Sequence, residues 1–199
     1  MQFLRQMQKL LNISKALDWL GPLALRIFLA PIFILAGMNK LSNVDNVASW
    51  FEYLGIPAPE LMVYLAGTTE LVGGILLLVG LGVRWIAVPL MFTMIVAATS
   101  AHWENGWHVL PETELTVPWE WRTDLIDDAV VLKDEAKSVL RKHSDYDYLS
   151  AAGPITILKN GIEFAATYFI MLLALFFTGA GRFFSFDYWV DRKLNSEFS

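Results

Sequence analysis

The chain has 199 residues, of which 55% are hydrophobic and only 18% are charged, and its formal net charge is −5. Soluble domains carry about a quarter charged residues, so this composition indicates a membrane protein. The absence of cysteine excludes disulfides, thiolate metal sites and cysteine nucleophiles. No basic stripe is present, which argues against a nucleic-acid partner.

Residues 1–19 combine apolar positions at helical spacing with basic residues on the other side, among them Arg5 and Lys9. This pattern predicts a short amphipathic helix on the cytoplasmic leaflet of the membrane. A frayed cytoplasmic tail is the alternative.

Four apolar windows then have the length of about 20 residues that a helix needs to cross a bilayer. We therefore predict an all-α membrane protein with a four-transmembrane-helix bundle: helices 1–3 within residues 20–102 and helix 4 within residues 160–181. The bilayer is the predicted partner, and oligomerisation stays open. The windows are Leu20–Met38, Leu61–Leu81, Arg84–Ala101 and Ile162–Thr178.

Basic residues favour the cytoplasmic side of a membrane. They precede the first window, occupy the tight second loop at Arg84 and return in the tail, residues 182–199, at Arg182, Arg192 and Lys193. The predicted location is therefore a bacterial inner (plasma) membrane, with both termini cytoplasmic and the first and third loops outside.

The third loop, residues 103–159, contains 11 acidic and 6 basic residues and forms an extracytoplasmic insert in this topology. An apolar stripe of period 3.6 from Leu125 to Leu140 predicts an amphipathic helix over about residues 121–143. A short strand pairing of residues 155–158 with residues 107–110 is also predicted. The insert is a candidate surface for membrane or secreted protein partners.

Ionisable residues within a span cost about 2.5–3.5 kcal/mol each to insert, so they tend to face the bundle interior and to be functional. Arg26, Glu70 and Glu163 are such residues here. The small residues near Glu70 direct it toward a neighbouring helix, and we predict an Arg26–Glu70 ion pair. A purely structural pair and a snorkelling Arg26 are the alternatives.

A second group of polar residues lies at the predicted outer ends of the spans. Lys40 ends the first span, His102 ends the third, and Glu163 begins the fourth. Because these ends lie at one level in an antiparallel bundle, we expect the three side chains to converge on a pocket near the outer surface.

Imidazole and carboxylate groups suit zinc, copper or iron, which makes His102, Glu104 and His108 candidate metal ligands. Their spacing places them on different sides of any continuous helix, so Asn105-Gly106 must turn the chain for them to meet. Met91 and Met94 could add thioether ligands for Cu(I), although such methionines usually fill gaps in a core.

Three stretches resemble the DoxX family of small four-helix membrane proteins: "FLAPIFILAGMNKL", "GTTELVGGILLLVGLGVRW" and "GAGRFFSFDYW". The acidic insert, with "AHWENGW" before it and "ILKNGIEFAATYF" after it, is most similar to an HvfX-like branch. That branch is associated with the biosynthesis of copper-binding, ribosomally made peptides.

The resemblance implies that Arg26, Lys40, Glu70 and His102 are recurrent polar positions of the family, and that Glu163 belongs to the branch. It also implies an accessory role in maturation, export or copper handling of a secreted metal-binding peptide. A small subunit of a quinone-linked oxidoreductase and a non-catalytic scaffold are the alternatives. Copper and quinone are the candidate ligands, and whether the protein is an enzyme stays open.

Overall fold

A computed structural model describes residues 7–8, 15–111, 114–156 and 158–197 of the chain, and all regular elements in this part are helical. The predicted amphipathic segment, residues 1–19, lies largely outside the described residues. The α-helices are α1 (Leu20–Ser42), α2 (Val44–Tyr53), α3 (Pro59–Val79), α4 (Val83–Val96), α5 (Asp124–His143), α6 (Tyr146–Leu149), α7 (Glu163–Thr178) and α8 (Phe186–Glu197). A π-helix (Ala97–His102) and a 3₁₀-helix (Trp103–Asn105) follow α4.

Among the described residues, three helical segments are long and apolar enough to cross a membrane: Leu20–Ser42, Pro59–Val79 and Val83–Asn105. The fourth predicted span corresponds to α7, which is apolar but has only 16 residues. The prediction of an all-α membrane protein is confirmed.

The chain divides into two compact units. Unit 1 comprises Met1–Met94 and Tyr168–Ser199, and unit 2 comprises Ile95–Thr167. The core of unit 1 is built from α1, α3, α4 and the later part of α7. Its fully buried side chains include Leu29, Phe33, Leu77, Leu90 and Leu172. Helix α2 packs separately on α3, through Phe51 and Val63.

Small residues allow α1 and α3 to approach each other closely. A Cβ atom added to Gly37 of α1 would lie 2.5 Å from the Leu71 amide nitrogen and 2.6 Å from the Gly67 carbonyl oxygen. A Cβ atom on Gly74 of α3 would likewise lie 2.8 Å from the Ile34 amide nitrogen. The two backbones are thus in contact, as small residues permit between membrane helices.

In unit 2, the residues leading into α7 pair with the loop after the π-helix. Four consecutive amides, residues 160–163, donate to the carbonyl oxygens of residues 109, 108, 106 and 107 respectively, over 2.9–3.0 Å. The predicted pairing of residues 155–158 was wrong, because these later amides occupy the 106–109 segment. The described residues also contain no strand. Gly161 is required here, since its Cβ would lie 2.5 Å from two of these oxygens.

Helix α5, Asp124–His143, lies within the range predicted for a helix in the insert, but the predicted apolar stripe is not buried. Leu132 and Val139 are 55% and 56% exposed, whereas Ile126, outside the stripe, is the buried hydrophobic residue of this helix. Periodicity therefore located the helix without identifying the side that packs.

Gly37→Ala should destabilise the protein by about 1–3 kcal/mol, because the new methyl group meets backbone atoms that cannot move independently of α3. Thermal unfolding of the purified protein in detergent measures the effect. Gly21→Ala is the control in the same helix, since its Cβ would meet nothing within 4 Å. Equal melting temperatures for the two variants would contradict the close α1–α3 contact.

Candidate functional site

Arg26 is the most deeply buried charged residue described, with only 1% of its surface exposed. Its guanidinium donates five hydrogen bonds of 2.7–3.0 Å to the carbonyl oxygens of Leu77, Leu78, Ala180 and Phe184. A guanidinium has five N–H groups, so all of its donor capacity is used. Two of the acceptors belong to the last turn of α3, where carbonyl groups lack i+4 partners; the Leu77 oxygen also accepts from the Gly80 amide at 3.2 Å. Arg26 therefore joins α1 to the end of α3 and to the turn after α7.

The predicted Arg26–Glu70 ion pair was wrong. Glu70 precedes Leu77 by seven residues, which is about 10 Å along a helix at roughly 1.5 Å per residue. Because the Arg26 Nε atom lies 2.7 Å from the Leu77 oxygen, the guanidinium is held away from the level of Glu70. The predicted depth of each residue in the membrane was counted from the end of its own span. The sequence does not show where the end of α3 lies relative to α1, so the two depths could not be compared.

Three residues that the sequence analysis did not select complete this cluster. The Asp187 carboxylate accepts from the amides of Gly82 and Val83, at 2.6 and 3.1 Å, and so caps the start of α4. Ser185 Oγ accepts from the Tyr188 amide at 3.3 Å at the start of α8. Gly80 has φ +73°, and its Cβ would lie 2.5 Å from the guanidinium. The motif "GAGRFFSFDYW" contained the sequence signal for Ser185 and Asp187, because Ser and Asp are common helix-capping residues.

Lys40 is the actual partner of Glu70. Its Nζ atom lies 2.6 Å from Glu70 Oε2, and the side chains are 21% and 5% exposed respectively. Glu70 is the twelfth of the 21 residues of α3, whereas Lys40 lies in the last turn of α1. The contact at Gly37, three residues before Lys40, brings the two helices close enough for this pair to form.

The Lys40–Glu70 pair is incompletely hydrogen-bonded within the described residues. An ammonium has three N–H donors and a carboxylate has two acceptor oxygens, but only one bond joins them here. Neither side chain makes another hydrogen bond to a described residue. The Lys40 side chain is 21% exposed and the Glu70 side chain 5%, so a molecule outside the protein could reach this pair mainly at the ammonium group. This pair could therefore hydrogen-bond a polar ligand.

His102 ends the π-helix Ala97–His102, an irregularity that often occurs at functional sites. Its Nδ1 atom lies 2.8 Å from the Asn160 carbonyl oxygen. A carbonyl only accepts, so this contact assigns a proton to Nδ1. His102 is half-buried and stays a candidate site residue.

Glu163 begins α7, and its Oε2 atom accepts from the Val109 amide at 3.1 Å. This bond gives Glu163 a structural role in unit 2. His102 and Glu163 lie in unit 2 and Lys40 lies in unit 1, and their convergence on one pocket stays a prediction.

The candidate metal ligands are not assembled as a group. In the described ranges, no three His, Asp or Glu side chains are placed to hold a metal ion. His108 is buried, and its Nε2 atom lies 3.1 Å from Thr116 Oγ1, whereas Glu104 is exposed. Met94 lies in the core of unit 1 and Met91 packs against it, which favours the gap-filling interpretation.

Unit 2 contains a second buried ion pair that the sequence analysis missed. Glu120 Oε2 lies 2.8 Å from Lys159 Nζ, and the side chains are 0% and 7% exposed respectively. The Glu120 carboxylate also accepts from the amides of Trp107 and Arg122. Burial by itself would raise the pKa of Glu120, but these hydrogen bonds and the Lys159 charge lower it to about 2. Its sequence setting, "PWEWR", combines one acid with bulky apolar neighbours.

Comparison with known proteins agrees with this architecture. The DoxX family model matches residues 21–103, from the start of α1 to the residue after the π-helix. Over this region the chain is similar to the DoxX family of membrane proteins. The matched region includes Arg26, Lys40, Glu70 and His102.

Two curated relatives match over similar lengths. The "Putative oxidoreductase CatD" of Bacillus subtilis is 32% identical over 78 residues, which are 39% of this chain and 57% of that protein. The "Uncharacterized membrane protein Rv3486" of Mycobacterium tuberculosis is 36% identical over 76 residues, which are 38% of this chain and 47% of that protein. The chain thus spans about half the length of the curated relatives it matches. No solved structure matches it.

Arg26→Lys should destabilise the protein by about 3 kcal/mol or more, because an ammonium cannot reach four separated carbonyl groups and leaves buried acceptors unsatisfied. Arg84→Lys makes the same chemical change at an exposed side chain with one long bond, of 3.4 Å, to the Phe177 oxygen. Thermal unfolding should show a change within about 0.5 kcal/mol for this control. A loss of similar size in both variants would refute the structural role of Arg26.

The low pKa of Glu120 predicts a specific pH dependence. Above the ordinary value of 4.5 the folded state gains its full stabilisation from this carboxylate, and the gain disappears as the pH falls from about 4.5 to about 2. Protease resistance of residues 103–159 in the full-length protein should decrease over this range. Glu120→Gln should be less resistant already at pH 7 and lose this step, whereas exposed Glu114→Gln should behave as wild type.

Proposed function

We propose that this protein is a small membrane subunit of an oxidoreductase system and that the Lys40–Glu70 pair is its ligand-binding site. The observation that carries the proposal is an ion pair in apolar helices with hydrogen-bonding capacity left over. The name of one relative, "Putative oxidoreductase CatD", supports the class of reaction, and the match covers 39% of this chain and 57% of that relative.

The placement of the pair suits reversible proton binding. A charged group within a span is costly, and Lys40 offsets the charge of Glu70 at 2.6 Å. If a ligand supplies a proton to Glu70, the Lys40 ammonium can donate to the ligand oxygen instead. The pair thus offers a donor and an acceptor side by side, a few ångströms apart.

A quinol head group fits this donor–acceptor arrangement, because each of its hydroxyl groups can donate to a carboxylate and accept from an ammonium. When bound, a quinone supplies two-electron redox chemistry that cysteine-free side chains lack. In this proposal Lys40 orients one ligand oxygen, Glu70 accepts one of the two protons released when the quinol is oxidised, and the other proton passes to water. The electrons pass to or from a partner redox protein.

The accessory role in handling a metal-binding peptide rests on the resemblance to the HvfX-like branch, and no contact among the described residues adds support to it. A purely structural role, as in a non-catalytic scaffold, fits Arg26, because all of its N–H donors are used within the fold. It does not account for the open hydrogen-bonding groups of Lys40 and Glu70. The proposed site therefore excludes Arg26.

We further propose that the protein lies in a bacterial plasma membrane with both termini in the cytoplasm and residues 103–159 outside. The support is the distribution of basic residues between the connecting segments. Under this topology the Lys40 end of α1 faces outward, and the turn held by Arg26 lies near the cytoplasmic surface.

Glu70→Gln should weaken binding of a short-chain quinol by about tenfold or more, because the variant loses the carboxylate that accepts the ligand proton. Binding is measured by isothermal titration to the protein in nanodiscs, with electrochemically reduced ligand. Glu60→Gln is the control, since Glu60 is an exposed residue in the first turn of the same helix.

A double variant, Lys40→Met with Glu70→Leu, separates a functional pair from a structural one. Replacing both charges with apolar side chains of similar volume is often neutral or stabilising. The proposal expects near-normal thermal stability and no quinol binding. A double variant that unfolds at the wild-type temperature and still binds quinol would refute the site, and so would a wild-type protein that binds none.

A further inference from the structure

Helix α8 carries an apolar face that nothing in the described chain covers. At about 100° per residue, Phe186, Trp189, Val190 and Leu194 fall within an arc of about 140°. These four side chains are 46–59% exposed. Every residue from Trp189 to Ser196 is exposed, so α8 packs on the rest of unit 1 only through its first turn.

An isolated helix of this length is marginal in water, because helices shorter than about 12–15 residues do not offset the cost of nucleation. Helix α8 has 12 residues. Its exposed apolar face therefore needs a partner beyond the residues that the structure describes to be stable and soluble.

The start of α8 is held at the ends of the membrane spans. The Asp187 amide donates to the Gly80 oxygen at 3.0 Å, and the Asp187 carboxylate binds the Gly82 and Val83 amides. Gly80 directly follows α3, and Val83 begins α4. The apolar face of α8 thus begins where the lipid-facing surface of the spans ends, beside exposed Val79 and Leu81.

The charges of α8 suit phosphate head groups. Arg192 lies 5.7 Å from the centre of the Trp189 ring, at the edge of the apolar face. Lys193 projects from within the apolar arc, where its long side chain can carry Nζ out to the phosphates. Asp187 uses both carboxylate oxygens within the fold, and the other acidic residues of α8 are Asp191, on the polar side, and Glu197, the last residue of the helix.

We propose that α8 lies in the plane of the membrane and that its Phe186–Trp189–Val190–Leu194 face is embedded among the phospholipids of the leaflet at the Arg26 end of the spans. The partner is a phospholipid surface, which the amphipathic pattern and the terminal aromatic and basic residues fit. The membrane would then stabilise the helix whose first turn caps α4 and supports the Arg26 cluster.

The absence of cysteine makes a site-specific test straightforward. Single-cysteine variants Val190→Cys and Leu194→Cys on the apolar face are compared with Asp191→Cys and Asn195→Cys, their immediate neighbours on the polar side. Each full-length protein carries a nitroxide label in nanodiscs of phosphatidylcholine and phosphatidylglycerol, and Leu35→Cys, exposed in the middle of α1, is the lipid-facing reference. Relaxation by oxygen and by a water-soluble nickel complex reports the surroundings of each label.

The expected result is high oxygen and low nickel accessibility at positions 190 and 194, approaching the Leu35 reference, and the reverse at positions 191 and 195. High nickel accessibility at all four positions would overturn the proposal. Low accessibility to both reagents at 190 and 194, with concentration-dependent spin–spin broadening, would also overturn it and would assign the face to a second copy of the chain.

Discussion

The architecture of unit 1 depends on the saturated hydrogen bonding of Arg26. Carbonyl groups at the end of a membrane helix have no helical partners, and leaving them unsatisfied away from water costs several kcal/mol each. The guanidinium of α1 satisfies carbonyls at the end of α3 and in the turn after α7. Asp187 completes the arrangement by capping α4 from the start of α8. One cation and one anion therefore connect five helices without forming an ion pair to each other in the described contacts.

The two charged clusters of unit 1 differ in how far their bonding is completed. Arg26 uses every N–H group on the protein itself, so it has no capacity for a ligand. Lys40 and Glu70 share a single bond and keep donors and an acceptor available. Arg26 is thus fully used within the fold, whereas the Lys40–Glu70 pair, in the same apolar helices, is joined by a single hydrogen bond.

Unit 2 is held by backbone contacts and one buried ion pair. The amides of residues 160–163 donate into the segment 106–109, and Gly161 leaves room for that contact. Glu120 binds Lys159 and two amides, and thereby ties the loop after the π-helix to the segment before α7. His102 is positioned by this framework through the Asn160 carbonyl oxygen, which explains how a half-buried imidazole keeps one defined orientation.

The sequence alone determined the membrane class, the apolar windows and the polar residues within them, because hydropathy and period are local properties. It also identified Lys40, Glu70 and Arg26 as unusual. It did not predict helices α2, α6 and α8. Only the tertiary structure decided that Glu70 binds Lys40 and that Arg26 binds carbonyl groups. It likewise decided that residues 160–163, and not 155–158, pair with the loop. Which residue a side chain pairs with depends on the relative axial position of two helices. A shift of one helix by two turns moves a side chain about 10 Å and leaves the hydropathy of the sequence unchanged.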